Sequence, residues 1–411
     1  MAVFQAADLL IPRETLLPDW AVIACDQFTS QPDYWREVRE RVGSKPSAYH
    51  ITFPEAELGG DEDGRIASIN RAMADYLAAG IFRSFPASYV YVERTLLDGS
   101  IRRGIVGVVD LEEYDYASDA SSAIRATEQT VVERIPPRVK IRRGAGLELS
   151  HVLLLMDDAK GRVLDSLTEK RERLETLYDF SLMQGGGQIC GRLVAGGDAA
   201  ALDRVLTEYE AEASARFAET GRAPLLYAVG DGNHSLATAK TCWEALKALD
   251  SSLAGSQHPA RYAMVELQNI RDAEQKFEPI HRLLLDVSKG ALLQALEPVC
   301  AEGGYPVEWV AGSQRGTITL DPACGALPVA ILQPVLDRFL RKHGGRIDYI
   351  HGDDTAAELA QREDAVALLL PNISKDDFFR GIVMDGVLPR KTFSMGHAQE
   401  KRYYLECRRI K

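Results

Sequence analysis

Leu226-Tyr227-Ala228-Val229-Gly230-Asp231-Gly232-Asn233-His234-Ser235-Leu236-Ala237-Thr238-Ala239-Lys240 reads as a short buried strand, a turn with two glycines, and a helix. Such junctions bring side chains and free helix N–H groups to a sheet edge, where ligands and phosphates bind. Asp231, Asn233, His234 and Ser235 give this turn a base, an amide, an acid and a hydroxyl. Gly230 and Gly232 allow positive φ and close approach of backbone to a ligand. Asp-Gly-Asn is also ordinary turn chemistry, and Asn233 or Ser235 could simply cap the helix. His234 tips the balance, because a cap does not need an imidazole.

The surrounding chain alternates strands and helices. Helices are expected at 33–42, 64–80, 166–178, 199–219 and 235–249. Tyr89–Val92 and Ile101–Val109 flank Asp98-Gly99, a hairpin turn. Leu149–Met156 and Tyr262–Leu267 read as further strands. From 286 the pattern starts afresh: a helix at 288–300, strands at 305–320 and 327–331, a helix at 332–343, the strand Ile347–Ile350, a helix at 354–362, the apolar run Ala365–Leu370 and a helix at 374–383. The expectation is an α/β (or α+β) protein with a mixed sheet core. A main body over 1–285 carries the glycine turn, a smaller C-terminal α/β region covers 286–385, and a tail over 386–411 returns toward the main body.

A chain of 411 residues with 46% hydrophobic and 26% charged residues is ordinary for a folded soluble protein. Lys and Arg number 48 against 60 Asp and Glu, a net charge of −12. That balance argues against nucleic-acid or anionic-membrane partners, which need a large basic surface. No apolar run approaches the roughly 18 residues needed to span a bilayer, and no signal peptide is visible. The six cysteines are scattered, with Cys300 and Cys324 the closest at 24 positions apart. No CxxC pair or zinc knuckle exists, and a reducing, cytoplasmic setting is expected.

Four further clusters could carry chemistry. Arg125-Ala126-Thr127-Glu128-Gln129-Thr130 offers a carboxylate beside a cation. Arg134, Arg138, Lys140, Arg142 and Arg143 form a basic run that reads more simply as a solvated strand face. Pro279-Ile280-His281-Arg282 pairs an imidazole with a guanidinium fork, or is an ordinary loop-to-helix junction. Leu388-Pro389-Arg390-Lys391-Thr392 resembles an anion clamp, or is an exposed connector. Gln184-Gly185-Gly186-Gly187 lacks the Lys-Ser/Thr ending of a P-loop.

Taken together and in order, these pieces resemble the bacterial family catalogued as domain of unknown function 1015. The resemblance runs nearly end to end. It rests on Tyr89-Val90-Tyr91 with Gly104-Ile105-Val106-Gly107, on Thr127-Glu128-Gln129-Thr130, on Asp231-Gly232-Asn233-His234, on Pro279-Ile280-His281-Arg282 and on Pro389-Arg390-Lys391-Thr392-Phe393. Where the family often has Asp-Gly-His-His-Arg-Tyr, this chain has Asn233 for the first His and Ser235-Leu236 for Arg-Tyr. The lost Arg leaves any phosphate role to Lys240, Arg125 or Arg390. The family form of the motif is similar to a phosphate-holding loop of free serine kinases in the ParB and sulfiredoxin superfamily.

The resemblance implies phosphoryl transfer or phosphoester hydrolysis on a small hydroxylated metabolite, with serine or phosphoserine the first guess. In that scheme Gly230, Gly232, Asn233 and Ser235 cradle phosphate, with Thr127 and Thr392 beside them. Asp231 or Glu128 acts as base or holds Mg²⁺, and His234 moves a proton. Arg125, Lys240, His281, Arg282, Arg390 and Lys391 neutralise phosphate charge. The alternatives are a non-catalytic module binding a phosphorylated or hydroxylated ligand, and a metal-dependent hydrolase built on His234, Asp231 and His281. Oligomeric state is not legible.

Overall fold

The computed structural model describes residues 2–129 and 135–411. Among them, thirteen strands form one mixed sheet. Its main path runs Tyr114–Asp115, Ile124–Ala126, Tyr227–Asp231, Leu153–Met156, Tyr262–Asn269, Ile101–Asp110, Phe82–Thr95, Ala7–Pro12, Cys407–Arg409 and Leu147–Leu149. The α/β class is therefore correct.

The hairpin shows why the sheet sits where it does. Gly99 takes φ +82°, and Asp98 Oδ1 accepts from Ser100 N at 2.9 Å, so the turn closes locally. Register then pairs Val90 with Val106. Alternation sends Tyr89, Tyr91 and Ile105 into one core with Leu154, Tyr227 and Trp243. Val90, Val92 and Val106 enter the opposite core with Trp20, Trp35 and Met264. Both faces of the sheet are thus covered, and each fully buried aliphatic side chain contributes about 1.5–3 kcal/mol.

A smaller sheet follows the order Gln314–Leu320, Cys300–Ala311, Ala365–Leu369, Phe277–Leu285, Arg346–His351, with Phe393–Met395 also on Phe277–Leu285. Its core reaches the main body through Leu155, Leu225 and Ala228. The last segment crosses back: Tyr403–Tyr404 pairs with Val22–Ile23, and Cys407–Arg409 lies between Ala7–Pro12 and Leu147–Leu149.

Several local expectations are corrected. Helix Arg162–Thr168 is short, and Thr176–Ser181 is a strand paired to Gln188–Val194, which docks on Phe82–Thr95. Pairing with that long strand overrides local propensity. The apolar run 327–331 is no strand but the start of helix Pro328–His343, where Pro328 suits the first turn. The junction at Pro279–Arg282 lies inside strand Phe277–Leu285, and the basic run continues from Ile135 as helix Ile135–Gly144. Leu149–Met156 breaks at Ser150-His151-Val152 into two strands in different parts of the sheet. Thr130 and Arg134 lie outside the described residues.

Candidate functional site

Strand Tyr227–Asp231 runs parallel to Ile124–Ala126 and antiparallel to Leu153–Met156. Gly230 lies so close to Leu155 and Met395 that a Cβ there would stand 3.0 Å from Leu155 Cγ and 2.9 Å from Met395 Sδ. Gly232 takes φ +83° as the N-cap of the 17-residue helix Asn233–Leu249. Being glycine, it brings no side-chain acceptor to the first-turn N–H groups. Asp231 Oδ1 accepts from Gly232 N at 3.0 Å, and its Oδ2 lies 3.4 Å from Lys401 Nζ. Asn233 Oδ1 is enclosed with no donor among the described residues. His234 is half-buried, and its carbonyl accepts from the Thr238 hydroxyl at 2.7 Å.

Beside this turn lies a cavity of about 540 Å³, and Ser235 and Thr238 form part of its wall. Arg138 Nη1 donates to Ser235 Oγ at 3.1 Å, and Arg138 also pairs with Glu55. Behind Ser235 sits His151, which is only 2% exposed. Its Nε2 is 3.4 Å from Ser235 Oγ and 3.6 Å from Asp26 Oδ2, and its Nδ1 is 2.7 Å from Tyr404 OH. Tyr404 donates onward to Cys25 Sγ at 3.1 Å. Nε2 thus faces both the Asp26 carboxylate and the Ser235 hydroxyl, and it accepts from Ser235 in the neutral tautomer protonated at Nδ1. Burial pushes the Asp26 carboxyl up, but His151 and Arg138 outweigh it and hold it well below the usual range, so it is ionised. Burial pushes the Cys25 thiol up to about 11, so at neutral pH it is no thiolate nucleophile.

This cluster differs from a Ser-His-Asp triad in one respect. There the carboxylate holds the nitrogen remote from serine. Here Asp26 and Ser235 meet the same nitrogen, and a tyrosine holds the other.

A second charged cluster ties the 388–392 loop to the main body. Glu128 Oε2 and Oε1 accept from Lys391 N at 3.2 Å and Thr392 N at 3.0 Å. Arg282, fully buried, donates to the carbonyls of Ile280 and Lys391 and to Gln333. Arg282 and Arg390 both lie against the Tyr349 ring, and Thr392 Oγ1 donates to Pro389 O. Burial pushes the Glu128 carboxyl up despite its two amides, and pushes the Arg282 guanidinium down to about 10.

Other expected residues lie elsewhere. Arg125 donates to the carbonyls of Ser122, Ala223 and Pro224, and Thr127 Oγ1 donates to Val229 O. Lys240 donates to Leu111 O and pairs with Glu244. These bonds occupy the groups assigned above to phosphate. His281 belongs to the smaller sheet, where its Nδ1 accepts from Leu370 N and its Nε2 lies 2.6 Å from Asp353. Among the described residues no three His, Cys, Asp or Glu side chains gather closely enough to hold a metal ion. The triad of His234, Asp231 and His281 is therefore not formed.

Sequence reasoning missed Asp26, His151, Tyr404 and Cys25, and passed over Arg138 as one charge in a basic run. The one available signal was His151 interrupting an otherwise apolar strand pattern. His151 stands 84 and Arg138 97 positions before Ser235 in the chain, and Asp26 and Tyr404 are farther from it still.

The sequence matches, over residues 7–409, the family described as "Protein of unknown function (DUF1015)". The chain belongs to this family. No curated protein matches it. Among solved structures it is similar to a free serine kinase in complex with AMP, with 12% identity, 74% of this chain and 91% of that chain covered, and a TM-score of 0.38. It is also similar to C-terminally truncated SbnI from Staphylococcus aureus, at 10% identity, 71% and 83% coverage and a TM-score of 0.35. A conserved hypothetical protein from Pyrococcus furiosus gives 12% identity, 72% and 92% coverage and a TM-score of 0.34. No helix among the described residues is long and apolar enough to cross a membrane.

Proposed function

We propose that this protein is an enzyme of phosphoryl transfer or phosphoester hydrolysis acting on a hydroxyl of a small metabolite. One observation carries the reading. An N-terminus without a side-chain cap, on the helix Asn233–Leu249, places its first-turn Ser235 between a 540 Å³ cavity and the buried His151. The positive end of a helix dipole favours an anion. Arg138 and Lys401 hold Ser235 and Asp231 at either side of the turn, and each is itself paired with a carboxylate.

A substrate hydroxyl in the cavity passes its proton to Ser235 Oγ as Ser235 gives its own to His151 Nε2. Asp26, ionised and 3.6 Å away, balances the imidazolium so formed. Arg138 lowers the cost of charge on Ser235 Oγ during the exchange. Asp231 and Glu128 do not fit a resident Mg²⁺. Both Glu128 oxygens accept backbone N–H groups, and Asp231 faces Gly232 N and Lys401. No step here is routed through a metal.

The test is product analysis with purified protein, using ATP or pyrophosphate with serine and a panel of alcohols, and phosphoserine alone. Wild type is expected to turn over at least one pair, with Ser235→Ala and His151→Gln losing that activity. Equal rates in wild type and Ser235→Ala would remove the catalytic reading. Thermal stabilisation by a phosphate compound without any product would favour a binding module instead.

A further inference from the structure

The wall of the cavity points to the class of molecule it takes. Its polar end comprises Ser235, Arg138, Tyr404, Cys25 and Glu55, which are linked to one another. Its aliphatic lining comes from four segments: Ile51 and Phe53, Ile66 and Met73 of helix Glu62–Ala78, Ile141 of helix Ile135–Gly144, and Leu147 and Leu149 of strand Leu147–Leu149. Thr29, Thr52, Glu62, Arg142, Glu148 and Thr238 stand between them. Ile66, Ile141 and Leu149 are only half-buried, and Leu58 at the cavity is 45% exposed. Such a run of uncovered aliphatic surface facing one concavity is unusual on a folded chain and marks a binding site.

Charge matching narrows the ligand further. Arg138 is paired with Glu55, and Arg142 lies 2.6 Å from Glu148, which Arg408 also holds. Glu62 sits in the first turn of its own helix, where the helix dipole favours a carboxylate. Both arginines of the wall are already paired, so a free amino acid would find no unpaired cation here for its carboxylate. Its few atoms would also leave most of 540 Å³ to water against apolar walls.

The geometry points to an uncharged amphipathic alcohol as the occupant, with its hydroxyl at Ser235 and its hydrocarbon body against Ile51, Phe53, Ile66, Met73, Ile141 and Leu149. The position of the hydroxyl rests on the catalytic reading above, whereas the apolar body rests on the wall alone.

Calorimetric titration of the full chain with straight-chain alcohols from ethanol to hexanol, and with serine, tests this. Affinity should rise about fourfold per added methylene, and hexanol should bind more tightly than serine. Leu58→Asn, a substitution at an exposed position, and Ile141→Asn should each weaken hexanol several-fold. A flat series, serine binding as tightly as hexanol, or a series unchanged by both substitutions would overturn the inference. If the series behaves as stated but Ser235→Ala transfers phosphate as fast as wild type, the alcohol site stands and the catalytic reading falls. If Ser235→Ala is inactive but the series is flat, the reverse holds.

Discussion

Two charged clusters flank the Gly230–Ser235 turn, and they spend their hydrogen bonds differently. Around the cavity, Arg138, Ser235, His151, Asp26 and Tyr404 bond to one another's side chains. Around the 388–392 loop, Glu128, Arg282 and Thr392 bond mainly to backbone amides and carbonyls. A side chain locked to backbone fixes a loop. A chain of side chains beside an empty space can shift protons and meet a ligand. Residue type alone does not separate the two cases, since both hold a carboxylate, a guanidinium and a hydroxyl.

The largest contrast should appear in turnover. Ser235→Ala is expected to lower the rate by about 10²–10⁴, with the urea midpoint little changed. His151→Gln should lower it as far while also losing about 1–3 kcal/mol of stability, since Asp26 and Tyr404 lose a buried partner. A variant that unfolds as early as it loses activity would erase the distinction between the clusters. Glu148, on the cavity wall, comes next. It is held by Arg142, Arg408 and Met264 N, and Arg408 anchors the C-terminal strand Cys407–Arg409. Removing its charge leaves buried arginine uncompensated, so Glu148→Gln should cost about 3–5 kcal/mol in urea unfolding.

In the loop cluster, Glu128→Ala strands the amides of Lys391 and Thr392 and should cost about 1–3 kcal/mol. Activity should fall only as far as the folded fraction falls. The two glutamates also carry opposite pH signatures. Burial raises the Glu148 carboxyl, but Arg142 and Arg408 outweigh it and leave it below its ordinary value. Its stabilisation is present above the unfolded pKa of about 4.3 and is lost as pH falls through the lower folded value. Glu128 is raised by burial, so its folded form keeps a proton longer. That favours folding below the unfolded pKa, and the benefit fades as pH rises through the higher folded value. Unfolding curves across the acid range should therefore show the wild-type advantage over Glu148→Gln growing with pH, and that over Glu128→Gln shrinking. Parallel slopes would contradict both environments.

The elements that the sequence made legible are those with strong local signals: the Asp98-Gly99 hairpin, the Gly230–Ser235 junction and the amphipathic helices at 33–42 and 64–80. What escaped depends on distant pairing. Strand Phe277–Leu285 contains Pro279, which reads as a breaker, yet it is held by Arg346–His351, Ala365–Leu369 and Phe393–Met395. Strand Thr176–Ser181 follows a charged stretch and is fixed by its partner rather than by its composition. The cavity cluster was opaque for the same reason. Asp26, His151 and Tyr404 are isolated in sequence, and only the closing of the C-terminal strands over Val22–Ile23 brings Tyr404 to Cys25. Ser235, which looked like a possible cap, was the one visible member.

The smallest expected effect is the most discriminating for Lys240. In the sequence it stands one turn into the helix after Ser235, an apt position for a cation facing phosphate. In the fold its ammonium donates to Leu111 O at 2.8 Å and pairs with Glu244 at 2.9 Å, with Glu112 at 3.9 Å. That network includes Lys247 and the Trp243 indole, which donates to Glu112, and it fastens the helix to the segment after strand Ile101–Asp110. A pair of this kind near the surface is worth about 0.2–1 kcal/mol. Lys240→Met should therefore shift the urea midpoint slightly and leave kcat/KM for any phosphate compound within about twofold. A tenfold loss at unchanged stability would put the phosphate on the Lys240 side of the helix, away from Ser235, and reverse the assignment of the two clusters.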